Sequence, residues 1–320
     1  MPISTKGSFN VSFSVIDYIR KFLKDDFTRR QYFFKLIFKS HILDYLSDRA
    51  FLCFKYKFLF KRRLNLENPR RFTEKIQWLK LYDRSPSYTK MVDKYEVKKF
   101  ISEKVGDQFN IPNFGVWDSF DEVDFDSLPQ KFVLKTTHDS GGVLICSDKS
   151  SFDFKTAKEF FSKRLRSNFF FANREWPYKN VKPRIIAEQY IECESNDLMD
   201  YKIYCFNGKP KYLLVAFDRW TPHGPSFEYF DIDFNRLPFS TDGKASSKVI
   251  SSPKFLSDML TISEKLSEGI PHLRVDFYEN NDSLYVGELT FYDNAGFSLY
   301  NPDEWDFIIG DYLDIPQVIS

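Results

Sequence analysis

Between residues 132 and 291 the chain is written in short β-type runs bounded by turn residues, whereas the residues before Asp107 carry helical periodicity. That change of texture is the strongest constraint on the fold. The runs are Phe132 to Lys135, Val143 to Cys146, Arg184 to Ile191, Tyr201 to Phe206, Tyr212 to Phe217, Phe227 to Asp233, Leu273 to Phe277 and Tyr285 to Phe291. Asn207-Gly208 between two of them is a strong hairpin signal, and helices are expected near 155–166, 254–268 and the C-terminus. Upstream, residues 15–65 read as helical, Asn68-Pro69 breaks the pattern, Phe72 to Leu81 opens with the helix-start pair Thr73-Glu74, and Tyr88 to Val105 reads as one further helix.

Composition narrows the class further. With 42% hydrophobic and 28% charged residues among 320, and only 12 Gly and 15 Pro, the chain is neither disordered nor collagenous. The 36 Phe, 18 Tyr and 5 Trp supply core surface without naming a chemistry. Charge is uneven: residues 1–65 hold 14 Lys+Arg against 5 Asp+Glu, so the basic head sits on an acidic body although the net charge is +1. Such a head suits an anionic membrane surface, a polyanionic substrate, or simply a solvated basic face. No run approaches the roughly 18 apolar residues of a membrane span, and no secretory leader pattern opens the chain. The expectation is a cytoplasmic protein, peripheral at most on the inner face of the membrane through residues 1–65. Cys53, Cys146, Cys193 and Cys205 are dispersed, as are the histidines, so neither a zinc site nor a disulfide framework is indicated. GxSxG and HExxH patterns are absent.

Three stretches can carry chemistry. If the late hairpin is symmetric about Asp282, Asp276 faces Glu288 and Arg274 faces Thr290, with Leu273, Val275, Phe277, Leu289 and Phe291 on the other side. Paired carboxylates repel unless a cation lies between them, and hard oxygen ligands point to Mg²⁺; the plain alternative is a solvated face on which Arg274 pairs with Asp276. Next, Lys131 and Lys135 alternate onto one face of a strand that runs into Ser140-Gly141-Gly142, a turn whose N–H groups can approach phosphate or merely close a hairpin. Third, Arg184 to Ile191 places Glu188 among apolar neighbours, where it could accept from an adenine amino group while strand-edge backbone groups read the ring. Asp231-Ile232-Asp233 is a DxD of the kind that binds nucleotide-sugar diphosphates, and it supports a glycosyltransferase as the alternative reading.

Taken in order, the lysine strand, the Gly-rich hairpin, Glu188-Gln189-Tyr190-Ile191, Asp200-Tyr201-Lys202, Arg274-Val275-Asp276 and Gly287-Glu288-Leu289-Thr290 resemble the nucleotide site of ATP-grasp enzymes. Phe72 to Lys80, Asp93-Lys94-Tyr95, Arg174-Glu175-Trp176-Pro177-Tyr178, Phe206 to Pro210 and Gly287 to Tyr292 look, more narrowly, like the TupA-like ATP-grasp family, associated with teichuronopeptide and capsular polysaccharide synthesis and often labelled glycosyltransferases. The resemblance implies two α+β lobes gripping ATP between antiparallel sheets. It divides the chain into a basic helical region (1–65), a helical segment (66–130), a lid with the Gly-rich loop (131–195) and a C-terminal subdomain with the Mg²⁺ site (196–320). By position, Lys94 and Lys135 contact phosphates, Ser140, Gly141 and Gly142 cap them, and Glu188, Gln189, Tyr190 and Ile191 form the adenine hinge. Lys202 and Arg274 are the catalytic cations, while Asp276, Glu288 and, because Thr290 stands where the family commonly has Asn, Asn294 or water serve Mg²⁺. The implied reaction is ATP-dependent carboxylate–amine ligation through an acyl phosphate. Its partners would be an amine or amino acid and an anionic glycan or lipid-linked saccharide, and nucleic acid is not among them.

Overall fold

The computed structural model describes residues 25–38, 42–193, 198–218, 225–241, 248–280 and 282–315. Residues 15–24 and 39–41 of the expected N-terminal helical stretch, and Asn281 of the expected late turn, lie outside the described residues. Two helices, α1 (Asp26–Phe38) and α2 (Asp48–Phe60), open the described chain. They are followed by α3 (Phe72–Tyr82), α4 (Ser87–Val92) and α5 (Val97–Lys104). The first sheet contains β1 (Asn113–Trp117), β2 (Phe132–Thr136), β3 (Val143–Cys146) and, after α6 (Phe154–Leu165) and the short α7 (Phe170–Asn173), β4 (Ile185–Gln189). The second contains β5 (Asp200–Phe206), β6 (Lys209–Phe217), β7 (Ser226–Asp231), then, beyond α8 (Leu256–Leu266), β8 (His272–Glu279) and β9 (Leu284–Thr290); α9 (Glu304–Asp311) follows.

Both sheets are antiparallel, in the orders β1-β4-β2-β3 and β7-β6-β5-β8-β9. Period-two alternation sorts each into a core face and a face left for chemistry. In the first sheet Phe132, Leu134, Ile185 and Ala187 pack with Ala157 and Phe161 of α6. Lys135 and Glu188 point to the opposite side and meet there. In the second sheet Ile203, Val275 and Leu289 are cross-strand neighbours in one core with Met259, Ile262 and Leu266 of α8, which leaves Lys202, Arg274, Asp276 and Glu288 on the other face. Asn207 and Gly208 have φ of 49° and 77° and join β5 to β6 as the sequence leads one to expect.

Three expectations need correction. Residues 66–130 are not wholly helical, because Asn113–Trp117 forms the outer strand of the first sheet, pairing with β4. A short edge strand containing Gly115 carries too little pattern to be read from sequence. Residues 88–105 are two helices: the Asp93 carboxylate accepts from the N–H groups of Tyr95 (2.9 Å) and Glu96 (3.3 Å), starting α5 afresh. The late hairpin pairs Arg274 with Thr290 and Asp276 with Glu288 as symmetry requires, but the register then slips so that Phe277 faces Val286. Gly287 is the extra residue, and a Cβ there would lie 2.5 Å from the Tyr278 ring.

Candidate functional site between the two sheets

The first wall of the site is built on β2, β4 and α5. Glu188 is buried, with Lys135 Nζ 2.5 Å from one carboxylate oxygen and Lys98 Nζ 2.6 Å from the other. Burial pushes its carboxyl up, but the two ammonium groups outweigh burial and hold it below the ordinary value. Burial likewise depresses Lys135, and the Glu188 carboxylate more than restores it. Glu188 is therefore engaged rather than free: β4 lies between β1 and β2, its carboxylate is held by two lysines, and Gln189 N donates to Pro112 O at 2.9 Å. Tyr190 and Ile191 lie beyond the end of the strand. Val143 and Ile145 on β3 sit opposite Lys135 and Val133 with 37% and 41% exposure, an apolar surface on the same face that the alternation of Val143 to Cys146 would have revealed. Lys131 points away into an exposed pair with Glu192 at 2.7 Å.

The Gly-rich turn closes onto this wall. Thr136 N donates to Gly142 O at 2.8 Å, the Asp139 carboxylate accepts from Thr136 Oγ1 and from Arg164 (2.5 Å), and Gly141 has φ 78°. A Cβ at Gly142 would be 1.7 Å from Thr136 Oγ1, so no larger residue fits. Ser140 and Gly141 are exposed at the tip. The break after α4 turns Lys94 inward: its N–H donates to Thr137 O (3.1 Å), and its ammonium donates to Asp139 O (2.5 Å) while standing 3.8 Å from Glu288. Lys94 therefore bridges the Gly-rich turn and the second sheet.

The second wall lies on β5, β8 and β9. Asp276 is buried; Arg274 donates to both of its oxygens at 2.7 Å, and Lys202 Nζ is 2.5 Å away and also 2.6 Å from Asp200. Burial raises the Asp276 carboxyl, yet Arg274 and Lys202 together bring it below the ordinary value. The carboxylate pair thus already has its countercharge, which corrects the expectation that a metal is needed to hold the two acids together, and Asp276 is not on a solvated face. Glu288 is different. Its side chain keeps 28% exposure, and Lys94 is its ion-pair partner.

A sharp turn, Asp293–Gly296, follows β9 with φ of 44°, 54° and 67° at Asn294, Ala295 and Gly296. It delivers Asp293, which the sequence reading passed over, to Arg274, whereas Asn294 is exposed and donates to Ser298 Oγ at 3.1 Å. Left-handed conformations at non-glycine residues persist where the surroundings fix them. Here Lys80 Nζ donates to Ala295 O (2.6 Å), and Gln77 donates to Ala295 O (3.1 Å) and Gly296 O (3.0 Å). Burial brings the Lys80 ammonium down to about 7 and raises neighbouring Glu175. Tyr178 is pushed well above its usual range by burial and then by the Glu288 charge, so the Arg174 to Tyr178 stretch backs the same centre.

Asp276 and Glu288 offer hard oxygens to a cation, and no third His, Cys, Asp or Glu joins them into a closed cage among the described residues. Such a donor set fits Mg²⁺, which keeps water and phosphate oxygens around itself. Asp231, by contrast, accepts from the N–H of Asp233 (3.0 Å) and of Asn235 (2.7 Å) and caps its own turn, which removes the structural support for a DxD site. Among the described residues no helix is long and apolar enough to cross a membrane.

No curated protein matches the chain. Among solved structures it is similar to a D-alanine–D-alanine ligase from Bacillus anthracis complexed with ATP, at 18% identity and TM-score 0.38 over 63% of this chain and 55% of that one. It is similar also to a RimK domain ATP-grasp protein from Sphaerobacter thermophilus, at 11% identity and TM-score 0.40 over 72% and 70%. A biotin carboxylase from Campylobacter jejuni aligns at 12% identity and TM-score 0.41 over 71% and 48%. The chain thus spans little more than half the length of the Bacillus ligase. The family model of TupA-like ATPgrasp proteins matches residues 74–314, the stretch that holds every residue of both walls from Lys80 to Asn294, and the chain belongs to that family.

Proposed function

We propose that the chain is an ATP-dependent carboxylate–amine ligase that joins an amine or amino acid to a uronic-acid-type carboxylate in bacterial cell-surface polysaccharide synthesis. The observation that carries the proposal is the opposite charge of the two facing walls. Lys94, Lys98 and Lys135 stand beside the Glu188 carboxylate on one side, where Asp139 is taken up by Arg164. Asp200, Asp276, Glu288 and Asp293 stand against Arg274 and Lys202 on the other. A triphosphate suits the first wall and a divalent cation the second, and they meet where Lys94 approaches Glu288.

In this reading Lys94 and Lys135 hold phosphate oxygens, the N–H groups around Ser140 and Gly141 close over them, and the base lies along Val143 and Ile145 toward Tyr190. Asp276 and Glu288 would hold Mg²⁺, which when bound supplies charge neutralisation on the transferring phosphoryl group. The substrate carboxylate oxygen attacks the γ-phosphorus and the bond to ADP breaks. Arg274, fixed by Asp276 and Asp293, and Lys202 face the acyl phosphate so formed. The amine nitrogen then attacks the acyl carbon, and phosphate leaves with the proton the amine loses. No side-chain nucleophile takes part; positioning and preorganised charge do the work.

The test is phosphate release from ATP by the purified chain. Release is expected only when a uronate oligomer and an amine are both present, with equal yields of ADP, phosphate and amide, and Glu288→Gln is expected to abolish it with the melting midpoint retained. Transfer of a sugar from a sugar nucleotide without ATP consumption would refute the reading.

A further inference from the structure

We infer that the tip formed by Ile42–Tyr45 and Phe170–Asn173 is a membrane-contact surface that seats on an anionic lipid interface. Exposed large apolar side chains crowd into residues 32–54, where Tyr32, Phe33, Leu36, Tyr45, Leu46 and Phe54 are all exposed. Tyr45 is the extreme case, with 92% of its surface in solvent. Its position is rigidly built rather than loose. Arg174, 1% exposed and at φ 58°, donates through Nη2 to the carbonyls of Leu43 (3.0 Å), Asp44 (3.3 Å) and Leu46 (3.4 Å). The same guanidinium lies over the rings of Phe51 (4.5 Å), Phe170 and Phe171 (5.3 Å each). One buried arginine thus fastens the 42–46 turn to the start of α7, and Tyr45, Leu46 and Phe171 on these two fastened segments are exposed.

The chemistry around the tip selects the occupant. Arg49 and Lys179 are exposed beside it, Lys179 Nζ resting 5.2 Å from the Phe170 ring centroid, and residues 1–65 carry the excess of 14 cations over 5 acids. Asp44 and Asp48 in the tip are drawn toward the buried Arg174, and apolar and aromatic side chains in a region of net positive charge match the boundary between acyl chains and anionic headgroups, where a tyrosine keeps its hydroxyl wet. Each cation near such a surface adds about 1 kcal/mol, or roughly fivefold in binding. Contact of this kind is peripheral.

Sedimentation of the full chain with vesicles tests the inference, and it does not depend on the ligase reaction. Phosphatidylglycerol-containing vesicles are expected to carry the chain down and pure phosphatidylcholine vesicles to leave it in solution. Tyr45→Ser with Leu46→Ser, and separately Arg49→Glu with Lys179→Glu, are each expected to weaken binding by at least about fivefold. Ile232→Ser, an exposed apolar side chain elsewhere (40%), is expected to leave it unchanged. Melting midpoints of all variants report folding. Equal binding by wild type and tip variants would assign any membrane affinity to residues 1–24 and overturn the inference. So would absence of sedimentation, or a wild-type dimer in gel filtration that Tyr45→Ser with Leu46→Ser converts to monomer.

Discussion

Glu188 in the first sheet and Asp276 in the second are each a buried carboxylate gripped by two cations, and they differ in what grips them. Glu188 is held by two flexible lysines from different elements, Lys98 at 2.6 Å and Lys135 at 2.5 Å. Asp276 is held by a planar fork, Arg274 donating to both oxygens at 2.7 Å, with Lys202 beside it. Lysine is a point charge on a movable stem, whereas a guanidinium paired in two places fixes direction. The first wall is therefore suited to transferring a lysine from Glu188 to an incoming phosphate. The second is suited to keeping its geometry while a reaction passes over it.

The comparison is broken most severely at Asp276. Asp276→Asn leaves Arg274 and Lys202 in a buried place with one charge removed, a loss of about 3–5 kcal/mol. Glu188→Gln is expected to cost less, about 1–3 kcal/mol, because two lysines can swing toward solvent or phosphate. Urea unfolding of both variants decides the matter, and equal losses would sink the distinction. Acid sharpens it. Both carboxyls titrate lower in the folded chain than unfolded, so each contributes stability above the ordinary carboxylate range that is lost as pH falls through the depressed folded value. Each wild-type advantage over its variant should accordingly vanish in strong acid.

A smaller effect separates two lysines that the sequence places on one strand face. Lys135→Met is expected to weaken ATP binding by about tenfold, near 1.4 kcal/mol, in titration calorimetry. Lys131→Met removes an exposed pair with Glu192 and a 5.8 Å approach to the Tyr190 ring, and should stay within about 0.5 kcal/mol of wild type. A comparable loss at both would mean that the whole β2 face, rather than its buried end, meets the nucleotide.

These contrasts also show what sequence can and cannot reveal. Lys135, Asp276 and Glu288 were legible because period-two alternation and a short turn fix faces and register, and the pairing of Asp276 with Glu288 follows from symmetry alone. Gly287 marks where that reasoning ends, since an inserted residue shifts the register only once the Tyr278 ring occupies the space beside it. Glu188 looked like a nucleotide acceptor because its strand neighbours say nothing of Lys98, which arrives from α5. Asp293 was hidden for a related reason. A turn with successive left-handed residues is held by Gln77 and Lys80, far away along the chain, and nothing local to Asp293 announces it.

Lys80 supplies the finest test, because it supports the second wall without touching it. Its ammonium is buried against the carbonyls of Ala295 (2.6 Å) and Asn173 (3.1 Å), and burial brings its titration from 10.5 down to about 7. Between those values the unfolded chain binds the proton more readily than the folded one, so this group makes folding more favourable as pH rises from about 7 toward 10.5. Lys80→Met removes that dependence. The wild-type melting midpoint is therefore expected to gain on the variant as pH is raised from neutral. A constant gap across that window would show that Lys80 titrates as an ordinary surface lysine.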